Sequence, residues 1–109
     1  MSYNIIAVPT FRKELKPLVK KYHSLKTDLA LLFESLEENP IQGTYLGKNC
    51  YKIRLAISSK GKGKSGGARI ITNFVIADET VYLLSIYDKS SKESLSDKEL
   101  DELLEEVPE

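Results

Sequence analysis

The sequence has very few of the residues on which metal sites and disulfide frameworks depend. Its 109 residues include one cysteine, Cys50, and one histidine, His23, and no tryptophan. A single cysteine cannot close an internal disulfide, and one cysteine with one histidine is too few for an ordinary zinc site. Zinc domains and disulfide scaffolds are therefore excluded, and we expect neither a metal nor another cofactor.

Long hydrophobic segments are also missing. No apolar run approaches the roughly 18 residues that a helix needs to span a bilayer. The first residues show neither the apolar core nor the small-residue cleavage site of a signal peptide. We therefore expect a cytoplasmic protein without a membrane partner. The length is that of one domain, because about 100 to 200 residues per domain is typical, and we assign residues 1–109 to it.

Acidic residues are absent from the middle of the chain. Residues 1–74 carry 13 Lys and Arg against 5 Asp and Glu, whereas residues 75–109 carry 3 against 11, so the formal net charge of 0 hides two opposite halves. Between Asn39 and Ala77 there is no Asp or Glu. A cationic field of this kind attracts phosphates, unless the acidic C-terminal part folds back and neutralises it. The cations of this stretch are Lys48, Lys52, Arg54, Lys60, Lys62, Lys64 and Arg69.

Hydrophobic periodicity predicts a short strand followed by two helices. The apolar run Asn4–Val8 ends at a proline, as a short strand would. Thr10 is placed to cap a first helix, in which Pro17 marks either a kink or a late start. Ser24 is placed to cap a second helix that ends at Asn39. The apolar stripes of the two helices are Phe11, Leu15, Leu18 and Tyr22, and Leu25, Leu29, Leu32 and Leu36.

The second half of the chain alternates between apolar and polar residues, which predicts three consecutive antiparallel strands. The first covers residues 51–57, and a loop rich in Gly, Ser and Lys, residues 59–67, leads to strands at 68–77 and 80–87. Ser96 and Glu99 have the spacing of a capping box for a short acidic helix at the end. The predicted fold class is α+β.

One motif and two single residues suggest functions that the surrounding sequence does not support. The GKGKS run resembles a phosphate-binding loop, but that pattern needs a glycine where Ser58 stands and a helix where a strand is predicted. The loop can still contact a polyanion, or it is a solvated connection between strands. His23 has no carboxylate placed to orient it as a general base, and Cys50 opens an apolar strand where a free cysteine is a small buried hydrophobe. Neither is predicted to be catalytic.

The cations of the predicted sheet form the main candidate site. Lys52 and Arg54 share a face because they are two residues apart in a strand, and Arg69 lies on the strand expected to neighbour them. Clustered cations repel one another unless an anion joins them, so the expected ligand is a phosphodiester. Such repulsion also favours loss of a proton, which makes Lys52 a candidate proton acceptor. The alternative is an exposed face whose cations merely keep a sheet edge soluble.

Three segments resemble the RelE/ParE superfamily of bacterial toxin-antitoxin toxins, and especially its RelE-type and HigB-type members with a long lysine loop. They are NCYKIRL at 49–55, SKGKGKSGGARII at 59–71 and YLLSIYDK at 82–89, and the resemblance extends over nearly the whole chain. It implies a curved antiparallel sheet of β-α-α-β-β-β order packed on two helices, usually without metal.

The resemblance implies that the chain is a toxin that cuts mRNA on the ribosome and so inhibits translation. In RelE-type members a basic residue deprotonates the 2′-hydroxyl, cations stabilise the phosphorane, and the 5′-oxygen leaves protonated. In this sequence Lys52 matches the base, Arg54 the neighbouring cation and Arg69 the arginine that stabilises the transition state. The residues expected to bind RNA or the ribosome are Lys48, Lys60, Lys62 and Lys64.

Two positions depart from the family pattern. Lys89 stands where RelE-type sequences have an arginine after the last strand, which keeps the charge but loses bidentate geometry. Leu95 corresponds roughly to a C-terminal tyrosine of some members, so Tyr87, at the end of the last strand, becomes the candidate proton donor. The candidate catalytic residues are Lys52, Arg54, Arg69, Lys89 and Tyr87.

The expected partners are a cognate antitoxin, the ribosome and mRNA, with DNA contacted only indirectly through the antitoxin. Two other functions remain open. A ParE-like toxin would inhibit DNA gyrase by protein contact, without nuclease activity. A degenerate toxin would only bind an antitoxin or RNA.

Overall fold

Three helices and five strands make up the part of the chain that the structure, a computed structural model, describes, namely residues 2–92 and 94–108. None of these helices has the length and the hydropathy that crossing a membrane demands. The elements are β1 (Asn4–Ala7), α1 (Pro9–Lys21), α2 (Leu25–Glu38), β2 (Thr44–Gly47), β3 (Cys50–Leu55), β4 (Ala68–Val75), β5 (Thr80–Asp88) and α3 (Asp97–Leu104).

The strands form one sheet in the order β1-β5-β4-β3-β2. The predicted α+β class, with two N-terminal helices and a short C-terminal helix, is confirmed, and β3, β4 and β5 are consecutive antiparallel strands. The sheet is mixed rather than purely antiparallel, because β1 runs parallel to β5. No local pattern indicated this pairing, since parallel neighbours are joined by long crossovers rather than by a short turn.

The strand β2 was not predicted from the sequence. It has only four residues, which are exposed or partly exposed, so no buried stripe marks it. It forms a hairpin with β3 through a turn in which Gly47, Lys48 and Asn49 all have positive φ angles of 88°, 54° and 61°. Glycine and asparagine are the residues that tolerate such angles best, and they were the one signal for this turn.

The first helix begins at Pro9, two residues earlier than a cap at Thr10 would place its start. Pro9 occupies its first turn, where the missing N–H and the fixed φ of proline suit a helix. Thr10 is therefore inside the helix rather than its cap, and its N–H and Oγ1 both donate to the carboxylate of Glu106. The helix continues through Pro17 and ends at Lys21, so the proline does not divide it.

The caps of the other two helices match their predicted positions but differ in chemistry. Ser96 and Glu99 form the predicted capping box, with both reciprocal hydrogen bonds present at 3.1 Å. Ser24 precedes α2 as expected, but its hydroxyl makes no cap bond. It donates instead to Asp28 and accepts from the N–H of Ser59 at 2.8 Å, which ties α2 to the segment after β3.

The register of β3, β4 and β5 separates the two faces of the sheet. Ile53 pairs with Ile70, which pairs with Ile86, and all three are buried. Asp88, two residues after Ile86, is on the same face, and the hydroxyl of Tyr22 at the end of α1 donates to it. The first helix therefore packs over this apolar face. The opposite face carries the candidate site.

Candidate active site

Three adjacent strands place two arginines and a tyrosine in one line across the sheet. Arg54 of β3 pairs with Arg69 of β4, which pairs with Tyr87 of β5. Directly opposed residues share a face, with Cβ atoms about 4.5–5.5 Å apart. Lys52 is on that face as well, because it lies two residues before Arg54. We refer to Lys52, Arg54 and Arg69 as the cationic row.

Two members of the cationic row are open to a ligand. Arg54 is exposed and Lys52 is half-buried. Neither has an acidic partner within residues 2–92 and 94–108. Both residues border a groove of about 530 Å³ between α2 and β3. The groove is also lined by the acid Asp28, whose carboxylate accepts from the hydroxyls of Ser24 and Ser58. Further lining residues include Leu31, Leu32, Gln42, Leu55 and Lys64.

Arg69 is held differently from the other two cations. Its side chain is buried, with the residue 3% exposed. Its Nη1 donates to the carbonyl oxygens of Lys64 and Ala68 at 2.9 and 3.1 Å, and its Nη2 donates to that of Ser65 at 3.2 Å. The guanidinium therefore brings a positive charge beneath the face and fixes the backbone of the loop that precedes β4. A phosphate reaches it directly only if that backbone moves.

Tyr87 is the last residue in the line of paired residues, and its hydroxyl is buried. The residue is 7% exposed, and its Oη has no hydrogen-bond partner in the described part of the chain. The ammonium of Lys92 lies 5.6 Å from the centre of its ring. Burial raises the pKa of the phenol, and the cations of Lys92 and Arg69 only partly oppose this. Tyr87 therefore holds its proton at neutral pH, as a proton donor must.

The three lysines of the loop have different surroundings. Lys62 and Lys64 are exposed. The ammonium of Lys60 instead points inward and donates to Asp88 Oδ1 at 2.8 Å, with side-chain exposures of 13% for Lys60 and 4% for Asp88. It also lies 5.4 Å from the centre of the Tyr22 ring. Lys60 is thus already paired with an anion of its own chain, whereas Lys62 and Lys64 face solvent.

The remaining predicted cations lie at the edges of this face. Lys48 is in the turn before β3 and forms an exposed ion pair with Asp101 of α3. The acidic C-terminal part therefore does fold back, as one alternative suggested. Among the acids that the structure describes there, Asp101 pairs with Lys48, and none pairs with Lys52 or Arg54. Lys89 is half-buried just after β5, and its N–H donates to the carbonyl of Gly67 at 3.0 Å, which joins β5 to the end of the loop.

Cys50 and His23, which were not predicted to be catalytic, lie outside this site. Cys50 is fully buried, as predicted, and burial raises the pKa of its thiol. His23 is exposed at the end of α1. Within the described ranges, no three His, Cys, Asp or Glu residues lie close enough together to hold a metal ion.

Sequence reasoning missed Asp88, which organises one edge of the site. Its Oδ1 accepts from Lys60 and from the N–H and hydroxyl of Ser90, and its Oδ2 accepts from Tyr22. Burial alone would raise the pKa of Asp88, but these donors outweigh it and hold the pKa well below its usual range. A lone acid at the end of an apolar strand, next to a lysine-rich loop, was the available signal.

Asp88 is expected to make the stability of the protein sensitive to acid. Because its pKa is lower in the folded than in the unfolded chain, it stabilises the fold fully above the ordinary value of 3.8 and loses this effect as the pH falls below it. Urea unfolding between about pH 6 and pH 3 should therefore show a smaller loss of stability for Asp88→Asn than for the wild type. Glu34→Gln, at an exposed acid of α2, should follow the wild type. Equal pH slopes for all three proteins would contradict this assignment.

The chain is similar to known proteins in both sequence and fold. Residues 11–107 match the family described as the RelE toxin of the RelE/RelB toxin-antitoxin system. A double arginine-to-alanine mutant of the Escherichia coli toxin RelE in its free state is 18% identical, with a TM-score of 0.63 over 99% of this chain and 100% of that chain. A chain of the intact E. coli RelBE complex is 19% identical, with a TM-score of 0.61 over 80% of this chain and 96% of that chain.

The isolated E. coli RelE toxin is 21% identical, with a TM-score of 0.56 over 97% of this chain and 100% of that chain. These structural likenesses show a shared fold. The family match covers all of the helices and strands except β1 and the start of α1, and it includes the whole candidate site. The chain therefore belongs to the RelE family of toxins from toxin-antitoxin systems.

Proposed function

We propose that this toxin is a metal-independent endoribonuclease that cuts mRNA on the ribosome and thereby inhibits translation. The observation that carries the proposal is the cationic row, in which Lys52 and Arg54 line an open groove without an acidic partner among the described residues. Tyr87 extends the same line with a buried, protonated hydroxyl. The family of the chain is consistent with this activity.

The proposed reaction is attack of a ribose 2′-hydroxyl on the adjacent phosphate. Lys52 accepts the proton of that hydroxyl, and the 2′-oxygen forms a bond to phosphorus. Arg54 donates to the phosphoryl oxygens, on which negative charge grows during the reaction. The bond from phosphorus to the 5′-oxygen breaks, and Tyr87 gives this oxygen a proton once its buried hydroxyl is uncovered. The products are a 2′,3′-cyclic phosphate and a 5′-hydroxyl.

The other two cations of the predicted catalytic set have supporting roles in this proposal. Arg69 adds a fixed positive charge next to Arg54 and holds the carbonyls of Lys64 and Ser65, so it acts mainly by positioning the loop. Lys89 adds charge at the end of β5, close to Gly67 of the same loop. A lysine attracts a phosphate as a point charge, but it lacks the two-pronged geometry of arginine.

We assign RNA binding to Lys62 and Lys64, with Lys48 as a further contact at the other end of β3. Lys60 is assigned to the structure of the loop instead, because its ammonium is paired with Asp88. Binding of single-stranded RNA weakens with salt by about −0.7 in log-log slope for each phosphate contacted. Lys62→Gln with Lys64→Gln should therefore make the slope shallower by roughly 1.4.

Fluorescence anisotropy of a labelled RNA oligomer, titrated at several salt concentrations, measures that slope. Lys13→Gln with Lys26→Gln removes two exposed helix lysines and leaves the slope unchanged if binding is local to the loop. An unchanged slope for the loop variant, or an equal change for the helix variant, would show that the loop lysines do not contact the RNA.

We further propose that a cognate antitoxin covers the cationic row and keeps the toxin inactive in its host. The intact E. coli RelBE complex contains a toxin-antitoxin pair of this family, which supports such a partner. An acidic or amphipathic segment is the expected complement to Lys52 and Arg54. Any contact with DNA would be made through the antitoxin.

Expression of the chain without an antitoxin tests the proposed function. We expect growth arrest and new mRNA ends within translated codons, and no new ends in an mRNA whose start codon has been removed.

A supercoiling assay with purified DNA gyrase tests the ParE-like alternative. Growth arrest with intact mRNA and inhibited supercoiling would replace the nuclease proposal with gyrase inhibition. RNA binding without growth arrest or RNA cleavage would indicate a degenerate toxin.

A further inference from the structure

The lysine loop, residues 59–67, is tied to the rest of the fold at both of its ends. At its start, the N–H of Ser59 donates to Ser24 Oγ at 2.8 Å and the N–H of Lys60 donates to the carbonyl of Ile57 at 2.9 Å. At its end, Arg69 holds two loop carbonyls, and Gly67 accepts from the N–H of Lys89. The loop therefore has a defined path, despite its glycine-rich sequence.

A further tie is the ion pair between Lys60 and Asp88, whose side chains are 13% and 4% exposed. Both oxygens of Asp88 are engaged, since Lys60 and Ser90 donate to one of them and Tyr22 donates to the other. The carboxylate thus joins the start of the loop, the end of α1 and the segment after β5. We refer to Lys60, Asp88 and Tyr22 as the latch.

The latch lies on the opposite side of the sheet from the cationic row. Asp88 follows Tyr87 in β5, and successive side chains of a strand point to opposite faces. A side chain on the far face, only 4% exposed, does not contact a bound RNA. Its neighbours in sequence, however, are Tyr87 and Lys89, and its ion-pair partner begins the loop. Asp88 is therefore placed to act on the site only through other residues.

We propose that Asp88 is a positioning residue, which through the latch fixes the lysine loop where Lys62 and Lys64 meet the RNA beside the cationic row. Removing the carboxylate leaves the ammonium of Lys60 buried without an anion, and a buried charge in that state is strongly unfavourable. The start of the loop then moves away from position 88 so that the ammonium of Lys60 reaches water. Lys62 and Lys64 spread over many positions, and RNA binding suffers more than the chemical step.

Hydrogen exchange of backbone amides tests the latch without reference to any enzyme activity. In Asp88→Asn, the amides of Ser59 and Lys60 should exchange at least about tenfold faster than in the wild type, because local opening becomes easier. The amide of Val8, which bonds to Leu83 in the sheet, should not change. Tyr22→Phe removes a single hydrogen bond of the latch and gives a smaller acceleration, so the test remains decisive if Asp88→Asn is poorly folded.

A double-mutant cycle tests whether the two charges act through each other. If Lys60→Met and Asp88→Asn disrupt the same latch, the double variant should be no worse than Asp88→Asn alone, because no charge is left buried without a partner. Additive effects on loop exchange would contradict the latch. Glu34→Gln, at an exposed acid of α2, serves as the control and should match the wild type.

Cleavage kinetics test the positioning role, and this part rests on the proposed nuclease function. With mRNA on programmed ribosomes, Asp88→Asn should raise KM about tenfold and change kcat by less than about threefold, as expected when binding is lost more than catalysis.

Unchanged loop exchange in a folded Asp88→Asn variant overturns the latch. Faster exchange with an unchanged KM overturns the positioning role. A wild type that never cuts RNA refutes the proposed function, while hydrogen exchange still decides the latch.

Discussion

Replacing Tyr87 with phenylalanine is expected to remove most of the nuclease activity without destabilising the fold. Proton transfer by a positioned side chain contributes about 10²- to 10⁴-fold to a rate, so the cleavage rate should fall by that factor. The hydroxyl is buried and unpaired within the described residues, and an unpaired buried polar group costs about 1–3 kcal/mol. Tyr87→Phe should therefore be as stable as the wild type or more stable by up to about that amount.

Single-turnover cleavage on programmed ribosomes and urea unfolding provide the two readouts. Tyr51→Phe is the matched control, because Tyr51 is next to Lys52 in β3 but on the opposite face of the sheet. It should cut at the wild-type rate. A Tyr87→Phe variant that is stable and fully active would exclude this hydroxyl as the proton donor and point to another group on the ribosome or the toxin.

Replacing Lys52 and Arg54, the two members of the cationic row that are open to a ligand, should also lower the cleavage rate strongly. Lys52→Ala removes the proposed base, worth about 10²- to 10⁴-fold, and Arg54→Ala removes a donor to the transition state, worth about 10²- to 10³-fold. The double variant should fall short of the product of the two factors, since residues that act as a unit are not additive. Arg54→Lys should keep part of the activity, because it keeps the charge but not the paired hydrogen bonds.

These variants should remain folded, which makes the loss of activity interpretable. Arg54 is exposed and has no ion-pair partner among the described residues, and substitutions at such positions usually change stability by less than about 0.5 kcal/mol. Lys26→Ala, at an exposed position of α2, should leave both stability and cleavage unchanged. A Lys52→Ala, Arg54→Ala double variant that cuts mRNA as fast as the wild type would exclude the cationic row from the reaction.

The local features of the fold were predictable from sequence. Ser96 and Glu99 are three residues apart, so their capping box depends only on spacing. The alternation in β3 placed Lys52 and Arg54 on one face. Pairing of β3 with β4 followed from their order in the chain, and it brings Arg69 opposite Arg54.

The features that depend on distant partners were not predictable. The pairing of Lys60 with Asp88 joins residues 28 positions apart, and nothing in the spacing of either residue indicates it. Arg69 is held by backbone carbonyl groups of the loop. Because every residue has a carbonyl group, the sequence does not indicate which of them the guanidinium contacts. The parallel pairing of β1 with β5 likewise arises from the packing of the whole domain.

The acidic C-terminal part shows why overall charge is a poor guide to this protein. Its helix α3 contributes Asp101 to Lys48 and Glu99 to Lys92, and Glu106 binds the start of α1. These contacts hold the helix in place without reaching Arg54. A net charge of 0 is thus compatible with two cations, Lys52 and Arg54, that no described acid neutralises, because the opposite charges are segregated in space.

The most direct test of the proposed nuclease function is to determine the chemical ends of the RNA fragments that the purified toxin produces on programmed ribosomes. We expect a 2′,3′-cyclic phosphate on the upstream fragment and a 5′-hydroxyl on the downstream fragment, with neither formed by the Lys52→Ala, Arg54→Ala variant. Fragments that carry a 5′-phosphate, or equal fragments from the double variant, would contradict it.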